Sequence, residues 1–345
     1  MTPEQLAATI EVALRAILAA DSQPGDAHEP HEAHRPVEAY EPDEPHGCLR
    51  SAVVVRRPAR REHGDWATAI ALQLAPRVGR TPRDLADQLA ERLSALPGIA
   101  SASVAGPGFV NVTLDTAAAG ELARTIVTAG AAYGRIAQPD GSQRAETEFE
   151  TETETETEFE TEDRGPEFAP SVQVRALAAQ IGGDAARFAL LRAEPGSRAS
   201  IDTPEIDLAR WTSREPDNPL FVVQSAHARA HQSGEAAEAA GVRRDDAFVP
   251  ELLDSTGDAA LLAALGDYPR VLAASARRGE SHRVAALLEE IAAEYHRWRD
   301  AHPVRPAGDA PITDAHRTRL WLNAAAGLVL GSGLGALGVG APQRI

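Results

Sequence analysis

The 345-residue chain contains no lysine: all 34 of its basic residues are arginines, set against 51 acidic residues for a formal net charge of −17. A phosphate-binding loop built on lysine is therefore excluded. The single cysteine, Cys48, excludes an internal disulfide, and its Pro/Asp/Glu/His-rich surroundings supply no candidate base, so a reducing cytoplasm is the expected compartment. A secretory leader is not expected: the opening MTPEQLAATIEVALRAILAA carries Glu4 and Glu11 against one arginine and has the spacing of an amphipathic helix. Charge is missing altogether from Leu320 to Gln343, a stretch that meets the ~20-residue length of a membrane span. Asn323 interrupts it, and Gly331, Gly333, Gly335, Gly338 and Gly340 weaken its second half as a helix. A buried terminal helix followed by a glycine-rich turn is expected there instead of a span.

The charge that is present is unevenly spread. Residues 21–50 hold eight acids and two arginines, and residues 145–168 hold eleven acids and one arginine, which leaves the rest of the chain near neutral. Whole-chain acidity thus does not exclude nucleic-acid binding, which depends on how arginines cluster on a face. The first stretch has no apolar period and is expected to be a disordered acidic insertion. In ETEFETETETETEFETE, residues 146–162, glutamate occupies every second position. Such alternation suits a strand, but it stacks nine glutamates on one face, and their repulsion favours an extended, solvated linker.

Between and beyond these stretches the apolar spacing predicts two domains. Strands are expected at Ala52–Val55, Ile99–Val104 and Phe109–Leu114, with helices at Trp66–Leu74, Pro82–Leu96 and Ala117–Ala132. Thr81 is the candidate N-cap of the second helix, with Pro82 at its first position and Pro97-Gly98 at its end. From about residue 170 onward the spacing is helical: Val172–Ile181, Ala185–Ala193, Asn218–Ala240, Asp258–Leu265, Tyr268–Ala276, His282–Ala301 and Asp314–Leu330. Short polar connections between them suggest a bundle. The fold class is α+β: a small N-terminal α/β sandwich-like domain (1–136), an acidic Thr/Glu linker (137–169) and a C-terminal all-α helical bundle (170–345).

Several apparent chemical motifs do not hold up. His28, His31 and His34 recur every third residue, yet Pro30 breaks the helix that would align them and no cysteine joins them, so no zinc site is expected. Gly333, Gly335 and Gly338 match a dinucleotide-binding glycine pattern but are followed by too few residues for the helix and strand that pattern requires. His63-Gly64-Asp65 has no further ligand or nucleophile at useful spacing and, taken alone, reads as a structural loop.

Its surroundings change that reading. EHGDWATAIALQLAPRVGRTPRDLADQLAERL (62–93), GIASASVAGPGFVNVTL (98–114) and a helix closing on Tyr133-Gly134-Arg135 follow in the order of the N-terminal domain of the arginyl-tRNA synthetase family, which they resemble. GGDAARFALLRAEPGS (182–197), EPDNPLFVVQSAHARA (215–230) and the closing GLGALGVGAPQRI are similar to that family's Asp-Ala-Leu-Arg anticodon-binding domain. Between these parts the family carries a Rossmann-type catalytic domain with a His-x-Gly-His motif and a Lys-Met-Ser-Lys-like loop. Here only the acidic linker stands between them, no His-x-Gly-His occurs, and no lysine exists to build the loop.

The resemblance implies a noncatalytic relative without ATP or arginine sites, needing no cofactor or metal, whose partner is a tRNA or related RNA and not a membrane. It places Phe109 and Asn111, with His63 and Asp65 in the adjoining loop, at contacts to the tRNA D-loop, and Asn218, Gln224, His227 and Arg229 on the anticodon side. Local alternatives stay open: Phe109 as sheet core, Asn111 as an edge polar residue, His227 as a satisfied core histidine, and Arg229 in a helix-packing salt bridge. Arg187 is expected to form an ion pair, with Asp184 at i−3 as a candidate partner. Tyrosines that the family carries around the Asp-Asn-Pro segment are here Phe221, Val222 and Ser225, which removes stacking faces with hydrogen-bonding tips, and the family's final methionine is Ile345. Two other outcomes follow from the same residues: a protein-interaction module that docks on a partner such as an authentic synthetase, or one half of a split ligase whose catalytic domain is supplied in trans.

Overall fold

The computed structural model of the chain describes residues 1–21, 53–134, 172–193, 207–244 and 247–345. Cys48, the histidine repeat and the alternating glutamates lie outside these.

The N-terminal part is an antiparallel sheet with helices on one face. Helix α1 (Pro3–Asp21) buries Leu6, Ile10, Leu14 and Ile17, one stripe at helical spacing, and α3 (Pro82–Ser94) buries Leu85, Leu89 and Leu93. Thr81 caps α3 by accepting the Asp84 N–H at 3.1 Å. The sheet runs in the order β1 (Val55–Arg56), β2 (Trp66–Thr68), β4 (Phe109–Leu114), β3 (Ile99–Ala105). Residues 66–74, expected as one helix, instead form β2 followed by α2 (Ile70–Leu74). Trp66 and Thr68 are buried opposite Val112 and Val110, so pairing with β4 overrides the local spacing.

Helix α4 (Thr116–Ala129) leaves this domain and gives Leu122, Ala123 and Ile126 to the second core. That core is the predicted helical bundle: α5 (Val172–Ile181), α6 (Gly183–Arg192), a short α7 (Leu208–Thr212), α8 (Pro219–Ala239), α9 (Thr256–Arg278), α10 (Ser281–Ala301) and α11 (Asp314–Ala336). Phe188, Tyr268, Tyr295 and Trp298 are its largest fully or nearly fully buried side chains. The architecture is α+β, with helices packed on one face of an antiparallel sheet and a separate all-α layer.

Two helical expectations change. Asp258–Leu265 and Tyr268–Ala276 are one helix, α9, with Pro269 inside it. Proline has no N–H for the carbonyl four residues earlier, and that carbonyl, Leu265, accepts the Tyr133 hydroxyl at 3.1 Å. The terminal helix does not stop near Leu330 but continues to Ala336. Its glycines permit close approach: a Cβ on Gly327 would sit 3.3 Å from the Ala230 methyl, and one on Gly331 would sit 3.1 Å from His227 Nε2. Among the described residues no helix is long and apolar enough to cross a membrane.

The two cores dock directly. A Cβ on Gly266 would meet Leu122 and the Trp66 ring at 3.1 Å, so glycine lets α9 press on the sheet domain. Tyr133 stacks on Tyr268 at 6.3 Å between centroids. Arg57 forms a fork to Glu290 at 2.6 and 2.9 Å and reaches Asp267 at 3.2 Å, while Arg270 holds the same buried aspartate at 2.7 and 2.8 Å.

Candidate functional site

Side chains alternate along a strand, so β4 turns Val110, Val112 and Leu114 toward the helices and Phe109 and Asn111 to the other face. The register sets Arg56, Ala67, Asn111 and Ser103 in one row across all four strands, with Phe109 opposite Ala105 in the next. The small residues in these rows leave a low floor between Phe109 and Arg56. Above it lies a cleft of about 500 Å³ bounded by Arg56, Arg57, His63, Gln73, Phe109 and Asn111, a size suited to a small planar ligand.

Two side chains in the cleft depart from what folding alone requires. Phe109 leaves 42% of its surface exposed, so it is not sheet core. Asn111 is only 8% exposed, yet its amide has no hydrogen-bond partner among the described residues. Its amide faces the cleft and is therefore free to pair with a ligand there. Arg57 is committed to Glu290 and Asp267, whereas exposed Arg56 pairs with no described carboxylate and remains a cation on the cleft wall.

Gly64 determines how the adjoining loop reaches the site. Its φ is +96°, and a Cβ there would lie 2.8 Å from the Val112 carbonyl oxygen and 2.9 Å from Thr113 Oγ1. The loop therefore lies flat on β4, and His63 joins the cleft lining. Asp65 is not brought there. Its N–H donates to Val112 O at 3.0 Å, and its carboxylate accepts the Leu114 N–H at 2.8 Å beside a separate small cavity lined by Met1 and Trp66. Burial raises the Asp65 pKa above its ordinary value, with the Leu114 N–H opposing the shift.

The anticodon-side candidates all lie on α8 or at its N-cap, and each is engaged. Asn218 caps α8, accepting the Leu220 N–H at 3.1 Å and donating to the Trp211 and Ser213 carbonyls. Gln224 donates to Gly340 O at 2.9 Å, and the His227 Nδ1–H donates to Pro342 O at 2.9 Å, so both grip the C-terminal tail. Asp184 and Arg187 do not pair with each other as expected. Asp184 accepts the Gly340 N–H at 3.0 Å and Arg187 donates to the Gly338 carbonyl, holding the same tail. Among the described residues Arg229 binds no carboxylate; it donates to His296 Nδ1 at 3.2 Å. Among the described residues no cluster of His, Cys, Asp or Glu is placed to hold a metal ion.

Sequence reasoning missed Arg56, Arg57 and Gln73 as cleft residues. The signal was the run of arginines after the first strand in VVVRRPARR, whose first member alternation places on the same face as Asn111.

Comparison with known proteins follows the same division. The family model described as "Arginyl tRNA synthetase N terminal domain" matches residues 43–114, and the "DALR anticodon binding domain" model matches residues 223–345. The arginine–tRNA ligase of Kineococcus radiotolerans aligns over all of both chains at 28% identity, but 345 residues are spread over 579 aligned positions, so much of that relative faces a gap. The ligase of Clavibacter sepedonicus is 47% identical over 48% of this chain and 29% of its own length. Thermus thermophilus arginyl-tRNA synthetase aligns with 50% of this chain and 31% of its own at 24% identity and a TM-score of 0.39. Matched in both halves and in chain order, the chain belongs to the arginyl-tRNA synthetase family.

Proposed function

We propose that this chain is a catalytically inactive arginyl-tRNA synthetase-like protein that binds tRNA or a related RNA and receives an unstacked base in the cleft beside Phe109 and Asn111. The Asn111 amide, unpartnered among the described residues and facing the cleft beside the exposed Phe109 ring, carries the reading. The ring offers a stacking face, the amide a donor and an acceptor for a base edge, and Arg56 a charge for the adjoining phosphate. The inactivity rests on the sequence: without His-x-Gly-His and without lysine, the charge that develops when ATP activates arginine has no stabiliser.

RNA that co-purifies with the chain from its host, sequenced and followed through a salt titration, tests the first part. One enriched tRNA set is expected. Phe109→Ala and Asn111→Ala should each weaken binding about 5- to 150-fold, the equivalent of ~1–3 kcal/mol per stacked base. RNA affinity unchanged in both variants would remove the cleft from the reading. Aminoacylation with and without host extract tests the inactivity, since arginylation that appears only on mixing would reveal a split ligase.

One observation favours a second role for the helical half. Gln224 and His227 are engaged by the tail, which reduces what that surface offers an anticodon. A bare chain isolated with a stoichiometric protein partner, such as an authentic synthetase, would replace the RNA reading with a docking one.

A further inference from the structure

We infer that Glu290, on α10 of the helical bundle, is a positioning residue for the cleft of the sheet domain, an inference that rests on the base-binding reading above. It acts through Arg57 to fix the cleft wall that carries Arg56. That wall is one consecutive stretch, Arg56 to Ala59. β1 is an edge strand, and only Val55 and Arg56 pair with β2, opposite Thr68 and Ala67. Val55 is buried, so alternation turns Arg56 to the cleft face, but the pairing ends at that residue. A two-residue edge strand is a weak anchor for a charge that must meet a ligand at a set distance.

The bundle supplies the missing hold. Arg57 Nη1 and Nη2 donate to the two carboxylate oxygens of Glu290 at 2.6 and 2.9 Å, and Nε donates to buried Asp267 of α9 at 3.2 Å. A guanidinium held in such a fork cannot swing without breaking two charge-assisted bonds together, so the strand end that bears it is tied to α10. The two carboxylates differ in what else they do. Asp267 also binds Arg270, whereas Glu290 pairs with Arg57 alone among the described residues. Glu290 therefore serves the Arg57 grip, and the bundle shapes the cleft without touching its ligand. This gives the helical half a part in RNA binding that needs no free anticodon surface.

The test uses the full chain and two variants, Glu290→Ala and Arg57→Met, the second of which removes the fork without freeing a cation beside the cleft. Hydrogen exchange without RNA, read by mass spectrometry, should quicken about 5-fold or more for the peptide spanning Val55–Arg57 in both variants and stay unchanged in β3 and β4. Binding of bulk host tRNA, titrated at several salt concentrations, should weaken about 5-fold or more, with the salt slope reduced by about 1, as in Arg56→Ala. Added to Arg56→Ala, either variant should weaken binding by less than about 2-fold more, since the charge it positions is already gone. Ile291→Val loosens the same helix without touching the fork and should leave both readouts at wild type. Wild-type exchange at Val55–Arg57 in both variants, wild-type tRNA affinity in both, or an equal loss in Ile291→Val overturns the inference. Wild-type chain that binds no tRNA overturns the base-binding reading instead, and the exchange rates alone then decide whether Glu290 sets the wall.

Discussion

Tyr133→Phe removes a single oxygen and should cost about 1–3 kcal/mol of stability. The Leu265 carbonyl lies in a fully buried turn of α9 and has no helical donor, because Pro269 lacks the N–H that would reach it. Tyr133 supplies the replacement at 3.1 Å, and burial raises its hydroxyl pKa far above the ordinary value, so it remains a donor at every working pH. Phenylalanine keeps the ring stacked on Tyr268, so little apolar burial changes. What is lost is a net hydrogen bond of about 0.5–1.5 kcal/mol and, more heavily, the desolvation penalty of about 1–3 kcal/mol for a buried carbonyl left unpaired. Pro269→Ala returns an N–H to the position that can bond Leu265. In that background Tyr133→Phe should cost less than about 1 kcal/mol, a coupling of about 1–2 kcal/mol in the double-mutant cycle. Urea unfolding of the intact chain, followed by far-UV circular dichroism and tryptophan fluorescence, measures all four corners. Equal cost of Tyr133→Phe in both backgrounds would refute the argument that the proline created the vacancy.

Asp267→Ala should destabilise by about 3–5 kcal/mol, because it removes the buried carboxylate that pairs Arg270 and leaves Arg57 with Glu290 alone, whereas Arg57→Ala should cost only about 1–2 kcal/mol, since Asp267 keeps Arg270; chemical denaturation of the two variants ranks them. Gly120→Ala places a methyl against the backbone carbonyl of Pro250, which no rotamer relieves, and should lower stability by about 1–3 kcal/mol. Gly335→Ala meets nothing within 4 Å on an exposed helical turn and should raise it by about 0.5–1 kcal/mol, so thermal midpoints should move in opposite directions. The His296 pKa is depressed on folding, mainly by burial, so the stability from its neutral ring is complete above about 6.5 and is lost as pH falls through the lower folded-state value. Wild type should therefore lose urea resistance on the acid side faster than His296→Gln, and parallel pH profiles would contradict this.

Local chemistry made much of the fold legible. Thr81-Pro82 announces the start of α3 because its cap acts within one turn, and Phe109–Leu114 announces a strand because alternation matches burial on one face. The misread elements are those decided by distant partners. Trp66–Thr68 becomes a strand through Val110 and Val112, some forty residues away, and α9 survives its proline through a hydroxyl from the segment after α4, more than a hundred residues earlier. The glycines of α11 read as a helix end in isolation, yet Gly327 and Gly331 are sites of close contact with α8. For the site, motif resemblance located Phe109, Asn111 and His63, but the free arginine beside them emerges only once the register aligns Arg56 with Asn111 across Ala67.

The hydrogen-bond partners also separate two kinds of family resemblance. Asn218, Gln224, His227, Asp184 and Arg187 all match the family's pattern, and each is accounted for by a cap or by the tail that crosses the bundle. A residue that folding already requires is retained whether or not RNA is bound, so its presence carries no information about the anticodon. Asn111 is the opposite case, because its amide pairs with no described residue and so gives the folded chain no hydrogen bond. If no RNA were bound, an apolar residue of similar size would serve β4 as well. Asn111→Leu should accordingly cost the isolated chain little stability, about 0–0.5 kcal/mol, while weakening RNA binding. Stability and binding that both fall in this variant would mean the amide is structural after all.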